Sequence, residues 1–279
     1  MTAPASAATQ PFTMRRVVVG LILAAVGLGS VFIPWAFYAL VLIIGFASLY
    51  ELNALCEIKG QAIEYPVAAI GVFGYIVLAG FNLLHKWEGV LLAGIVVATF
   101  WLGMYGEQKG YFARTAYTLL AVLYIGKLLS YFIFIRQVPG LGLALTFEVI
   151  VLIAVTDISA MAIGTLIGRH QLTVISPSKT IEGSIGAVVV VTAIAIAVTA
   201  RPELHMAWWQ GGILGLFTSI AAQAGDLAES ALKRDAGVKD TGTVIQGHGG
   251  VLDRFDSYLF GGTAFFGTLH LLGILQVPS

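Results

Sequence analysis

Between residues 16 and 276 the chain falls into apolar runs of roughly twenty residues, broken by prolines and short polar stretches. An α-helix rises about 1.5 Å per residue, so about twenty apolar residues cross a hydrocarbon core about 30 Å thick. The runs predict about nine transmembrane helices, at 16–33, 36–56, 66–84, 88–105, 113–135, 143–167, 183–200, 209–232 and 255–276. Pro34, Pro66, Pro139 and Pro177 punctuate them, as expected of a residue that cannot continue a helix interior. Composition agrees: 58% of residues are hydrophobic, 11% are charged, and the mean hydropathy is +0.91. A soluble domain carries about a quarter charged residues. The expected fold class is therefore an all-α polytopic integral membrane protein.

Lys and Arg total 15, as do Asp and Glu, so there is no bulk attraction to nucleic acid and none is expected as a partner. A single cysteine, Cys56, excludes an internal disulfide and a zinc site built on Cys pairs. Residues 1–14 are small, polar and proline-containing and are expected to be disordered. Residues 15–142 hold spans one to five, and residues 143–279 hold spans six to nine with the candidate chemistry. Eleven of the fifteen basic residues, among them Arg15, Arg16, Lys59, Lys179 and Lys233, fall on one side of the predicted bundle. Only Lys86, Arg136 and Arg201 fall on the other. Cytoplasmic loops retain the excess of Lys and Arg, so the amino terminus is expected in the cytoplasm and the carboxyl terminus outside. The first five spans are mostly aliphatic, with Lys127 as the exception; pairing or snorkelling explains a lone cation there.

Three clusters carry candidate chemistry. In TDISAMAIGTLIGRH, Asp157 lies inside an apolar span, where a carboxylate costs at least about 2.5 kcal/mol and so is expected to face a polar cavity, a metal or a partner. Gly164 and Gly168 in the same stretch have the spacing of close helix packing. In SPSKTIEGS, residues 176–184, two readings stand level. Ser178 or Thr180 caps a helix with Glu182 in its first turn, or Ser176, Lys179 and Thr180 grip a phosphate at a helix amino terminus. The third cluster begins at GDLAESALKR, where Asp226, Glu229 and Lys233 share one helix face. It continues through His248, Gly249 and Gly250 to Asp253, Arg254 and Asp256. Carboxylates without Cys, and with one nearby His, favour a hard cation such as Mg²⁺ over zinc. The glycines allow backbone to approach a phosphate chain that Lys233, Lys239 and Arg254 neutralise. The bland reading of these residues is a solvated loop with capping acids, with Glu229 merely balancing Lys233 and His248 merely holding the turn.

The stretch SALKRDAGVKDTGTVIQGHGGVLDRFD, from Ser230 to Asp256, closely resembles the signature of the phosphatidate cytidylyltransferases, or CDP-diacylglycerol synthases. The Lys-Arg pair, the Lys-Asp pair, His-Gly-Gly and Asp-Arg-x-Asp all stand at the family's spacing, and GDLAES and SPSKTIEG look like further family motifs. The chain departs from the family at Gln246, where Pro is usual, and at Met161 and Thr165, where the family has Tyr and Arg. The resemblance implies transfer of CMP from CTP to phosphatidic acid, giving CDP-diacylglycerol and pyrophosphate for phospholipid synthesis. It implies one or two Mg²⁺ ions on Asp226, Asp253 and Asp256, with Asp157 nearby. It also implies phosphate contacts from Lys233, Arg234, Lys239 and Arg254, with Ser176, Lys179, Thr180, Gly249 and Gly250 contributing, and His248 orienting a reacting oxygen. Asp226, Lys233, His248, Asp253 and Asp256 form the expected catalytic set. CTP, phosphatidic acid and membrane lipids are the implied partners, a homodimer the implied assembly, and the plasma membrane, with the site facing the cytoplasm, the implied location. Two rival readings remain: a cytidylyltransferase or kinase acting on another lipid, and an ion- or proton-coupled transporter. Transport is disfavoured because the charge gathers at one face and in loops.

Overall fold

The computed structural model describes residues 25–105, 109–201, 206–242 and 249–275. The expected tail, Arg15, Arg16, the first half of the first run, Gln246 and His248 lie outside the described residues. Residues 25–30 are helical, and eight longer helices follow. We label them α1 (Pro34–Ile58), α2 (Tyr65–Gly80), α3 (Leu84–Gly103), α4 (Tyr111–Arg136), α5 (Gly142–Ile167), α6 (Ile181–Thr199), α7 (Trp208–Asp235) and α8 (Leu252–Leu271). Eight of the nine predicted spans thus coincide with helices whose ends move by a few residues. Among the described residues no strand occurs; an isolated antiparallel bridge joins Gln171 to Thr180.

Five of the helices, α1, α3, α4, α5 and α6, are long and apolar enough to cross a membrane. The outward side chains of the bundle, such as Ile43, Val97, Leu120, Val151 and Val189, are exposed and apolar, as a lipid solvent allows. Helix starts follow from proline chemistry: α1 opens on Pro34, and Pro66 stands in the first turn of α2, where a missing N–H is not needed. At the end of α7 Gly237 takes φ +73, so that Val238 N–H bonds the Lys233 carbonyl at 2.9 Å and the chain turns back toward α8.

α4 contains a π-helical segment, Val122–Lys127. The wider turn brings Gly126 against the backbone of Val72 and aims Lys127 at α3, where it pairs with Glu88 and lies 5.8 and 5.2 Å from the rings of Tyr75 and Tyr131. The lone cation expected in the fifth span is therefore a paired one.

α7 packs against α5, α6 and α8, and small residues set its distance from them. A Cβ on Gly215 would strike Ala195 Cβ, Thr192 Cα and the Val191 carbonyl; one on Gly225 would strike the Asp256 carbonyl. Gly164 and Gly168 press on Thr180 in the same way, as their spacing predicts. Gly215 lies away from the polar residues described below, so Gly215→Leu tests packing alone. It should destabilise the bundle by about 1–3 kcal/mol through forced separation of α6 and α7. Thermal unfolding in detergent reads this, and a melt equal to that of the parent protein would show that the close approach is not required.

Candidate active site

Two adjoining polar groups lie where α5, α7 and α8 meet. In the first, Asp226 of α7 accepts from Ser230 Oγ at 3.4 Å and pairs with Lys179. Asp157 of α5 accepts from Ser257 Oγ at 3.2 Å, and Asp256 of α8 accepts from the Ser257 N–H at 2.6 Å. Asp157 and Asp226 both lie within electrostatic reach of Asp256, so three carboxylates from three helices share one region with one lysine. α7 and α8 come this close because Gly225 leaves its side open to the Asp256 backbone.

In the second group Lys233 of α7 lies 2.5 Å from Glu229 Oε2 and 2.6 Å from Asp253 Oδ1. Glu229 is fully buried. Asp253 Oδ2 accepts the N–H and hydroxyl of Thr241 at 3.0 and 2.9 Å and the N–H of Gly250 at 2.8 Å. One carboxylate thus gathers both ends of the glycine-containing loop onto the first turn of α8, where negative charge suits the helix dipole. Gly249 enters that turn at φ +81, a conformation that a residue with Cβ resists.

The predicted helix-face arrangement is present. Asp226, Glu229 and Lys233 follow one another along α7, and Asp253 and Asp256 answer them from α8. Glu229 does balance Lys233, and it does so beside Asp253. Among the metal-ligand candidates, Asp157, Asp226 and Asp256 are brought together. Asp253 is engaged by Lys233, Thr241 and Gly250, so coordination of a cation by its Oδ1 requires Lys233 to move. Among the described residues no three His, Cys, Asp or Glu side chains already enclose a metal position. The donors are all oxygen, the set that suits a hard divalent cation.

The two readings of SPSKTIEGS fall on different residues. Thr180 caps α6 by accepting from Gly183 N–H at 3.1 Å, and Glu182 pins the preceding loop through the N–H groups of Arg169 and His170 at 3.0 and 3.2 Å. Lys179 is then left to point at Asp226. Ser176 contributes a carbonyl that accepts from the Lys179 N–H at 3.1 Å. Arg234 bonds the Val238 carbonyl at 3.2 Å, and Arg234, Lys239 and Arg254 are exposed. Near Asp157, Met161 is exposed and Thr165 bonds the Met161 carbonyl at 2.7 Å within its own helix.

The early spans, mostly aliphatic with Lys127 as the exception, also carry a buried carboxylate not singled out from the sequence. Glu51 of α1 is 1% exposed and reaches the site: its Oε1 accepts Val251 N–H at 2.8 Å and its Oε2 accepts Leu252 N–H at 2.7 Å. Lys59, just beyond the same helix, pairs with Asp235 at the end of α7, and this hydrogen bond holds the Lys59 ammonium above its ordinary range. A carboxylate inside an apolar run was a signal for Glu51, as for Asp157, but proximity to the loop at the end of α1 hid it.

Fold and site together define a multi-pass membrane protein with a carboxylate and lysine centre suited to phosphate chemistry. The pattern of the cytidylyltransferase family matches residues 14–272, and the chain belongs to that family. A phosphatidate cytidylyltransferase of Bacillus subtilis (strain 168) is 32% identical over 253 residues, covering 88% of this chain and 93% of the relative. One of Staphylococcus epidermidis is 32% identical over 257 residues, covering 89% and 95%. One of Staphylococcus haemolyticus is 33% identical over 240 residues, covering 83% and 88%.

Lys233 holds two acids that neither water nor lipid serves well. Lys233→Met should lower stability by about 3–5 kcal/mol, the usual result of stripping a buried charge of its partner. Adding Glu229→Gln should recover part of the loss. Melting of the single and double variants in detergent checks this, and no recovery in the double variant would show that Glu229 is not the group left unpaired.

Proposed function

We propose that this protein transfers CMP from CTP to phosphatidic acid, producing CDP-diacylglycerol and pyrophosphate. The observation that carries the proposal is the polar region shared by Asp157, Asp226 and Asp256 with Lys179, three residues along α8 from the Asp253 that pairs with Lys233 and holds the Gly249–Gly250 turn. That the relatives are phosphatidate cytidylyltransferases supports the choice of lipid and nucleotide.

In this reaction a phosphate oxygen of the lipid attacks the α-phosphorus of CTP, and the bond to the β-phosphate bridging oxygen breaks. Both partners are anionic, so the protein's task is positioning and charge neutralisation rather than covalent work. Lys179 and Lys233 supply cationic donors inside the site, and Arg234, Lys239 and Arg254 supply positive charge at its exposed approach. Gly249 and Gly250 are assigned to the approach of the phosphate chain, at the turn that Asp253 and Glu51 hold, and His248 is assigned to orient a reacting oxygen. Asp226 and Asp256, with Asp157 and Asp253, would hold one or two Mg²⁺ ions, which neutralise charge on the phosphate oxygens.

The full reading has nine spans, with the amino terminus in the cytoplasm, the carboxyl terminus outside and the site facing the cytoplasm of the plasma membrane. The eleven-to-three division of basic residues supports it. A reporter fused to the carboxyl terminus should be found outside the cytoplasm; a cytoplasmic reporter would require one span more or fewer.

Purified protein in detergent, given CTP, phosphatidic acid and Mg²⁺, should form CDP-diacylglycerol and pyrophosphate together, and chelation should stop both. Losing a group that only supports a metal ligand costs about 10–100-fold, so Asp226→Asn and Asp253→Asn should each cut turnover by more than about 100-fold. Consumption of CTP with another lipid phosphate but not with phosphatidic acid would replace the substrate. No consumption of CTP by any lipid would end the enzyme reading.

A further inference from the structure

α8 begins without a cap of its own. Val251, the residue before it, has helical dihedrals and makes no side-chain cap bond. The first amides of any helix lack partners within the helix, and here they are buried or half-buried. Glu51, some 200 residues earlier, takes those of Val251 and Leu252, one on each carboxylate oxygen. Its Oε2 also lies 3.3 Å from Thr241 Oγ1. The same hydroxyl lies 2.9 Å from Asp253 Oδ2, and the carboxylate of Asp253 in turn holds Lys233. Gly242 and Gly250 flank Glu51, and a Cβ on Gly250 would collide with both Glu51 and Thr241. The glycines in this loop therefore leave room for a side chain from α1.

We propose that Glu51 is a positioning residue of the catalytic centre. By holding the Val251 and Leu252 amides, beside the Thr241 hydroxyl that Asp253 accepts, it sets the Gly249–Gly250 turn and the Asp253–Lys233 pair in the geometry that receives the CTP triphosphate. The proposal rests on the cytidylyltransferase reading above and adds to it a member from the amino-terminal helices. Glu51 acts through Asp253 and the turn, and touches neither substrate itself.

Glu51→Gln preserves volume but offers one acceptor where the helix presents two N–H donors, and it turns an NH₂ group toward one of them. A misplacement of about 1 Å at such a site costs about 10²-fold, so kcat/KM for CTP should fall by about that factor. If the turn is what moves, KM for CTP should rise while KM for phosphatidic acid stays within about twofold. Glu51→Asp keeps two acceptor oxygens on a shorter stem and should restore part of the loss; it also stands in if the Gln variant fails to fold. Hydrogen exchange on the full chain in detergent provides a readout that needs no activity: amides at 249–253 should exchange faster in Glu51→Gln, while those of α2 and α3 stay unchanged. Parental kinetics with parental exchange would overturn the proposal. So would an equal loss toward both substrates accompanied by faster exchange throughout the bundle, which would make Glu51 a plain structural anchor. If the parent protein itself does not turn over CTP with phosphatidic acid, the reaction assignment fails separately, and exchange at 249–253 still decides whether Glu51 holds the turn.

Discussion

An ammonium group between two carboxylates fixes where α7 and α8 meet. Lys233 sits against the fully buried Glu229 and against Asp253, and none of the three has an inexpensive alternative in lipid. Stripping a buried charge of its partner costs about 3–5 kcal/mol, so these groups are stable together and costly apart. Lys233 and Glu229 are neighbours on one helix by spacing, but Asp253 must be brought from the next, across a loop that turns at Gly237. The same compensation recurs among the described residues at Lys179 with Asp226, at Lys127 with Glu88 and at Arg114 with Glu64.

Close helix approach is the second constraint, and it serves the first. Carboxylates on α5, α7 and α8 share one region because Gly225 exposes its backbone to Asp256 and Gly261 admits Ile153 and Ala222. The bilayer gives apolar side chains no reason to leave lipid for each other, so small residues and polar contacts decide which faces of the helices turn inward. The interior accordingly holds Leu, Ile and Val as the exterior does, and the close crossings are marked by Gly, Ala, Ser and Thr among them.

The apolar runs made the spans legible because crossing a bilayer imposes a length on each of them. Helix ends were less legible where charge begins. Hydropathy makes the last run readable only from residue 255, after Asp253, yet α8 starts at Leu252, since Glu51 and Asp253 satisfy the amides that would otherwise need water. SPSKTIEGS could not be divided between capping and phosphate contact by spacing alone. The division came from which oxygen the Gly183 N–H meets and from the direction in which Lys179 then leaves the loop.

The sequence by itself determined a bundle of apolar helices, a carboxyl-terminal half rich in polar motifs, and the signature that marks the cytidylyltransferase family. Those features are local: a hydrophobic length, an i to i+3 spacing and a string of fixed residues each need only a short stretch of chain. Only the tertiary structure decided that Asp256 joins Asp157 and Asp226 while Asp253 turns to Lys233 and the loop. It also decided that Glu51, on a helix with no other mark of chemistry, caps α8. Such choices depend on which buried donor finds which acceptor across helices, and hydrogen-bond satisfaction in a medium without water is a property of the whole packed bundle.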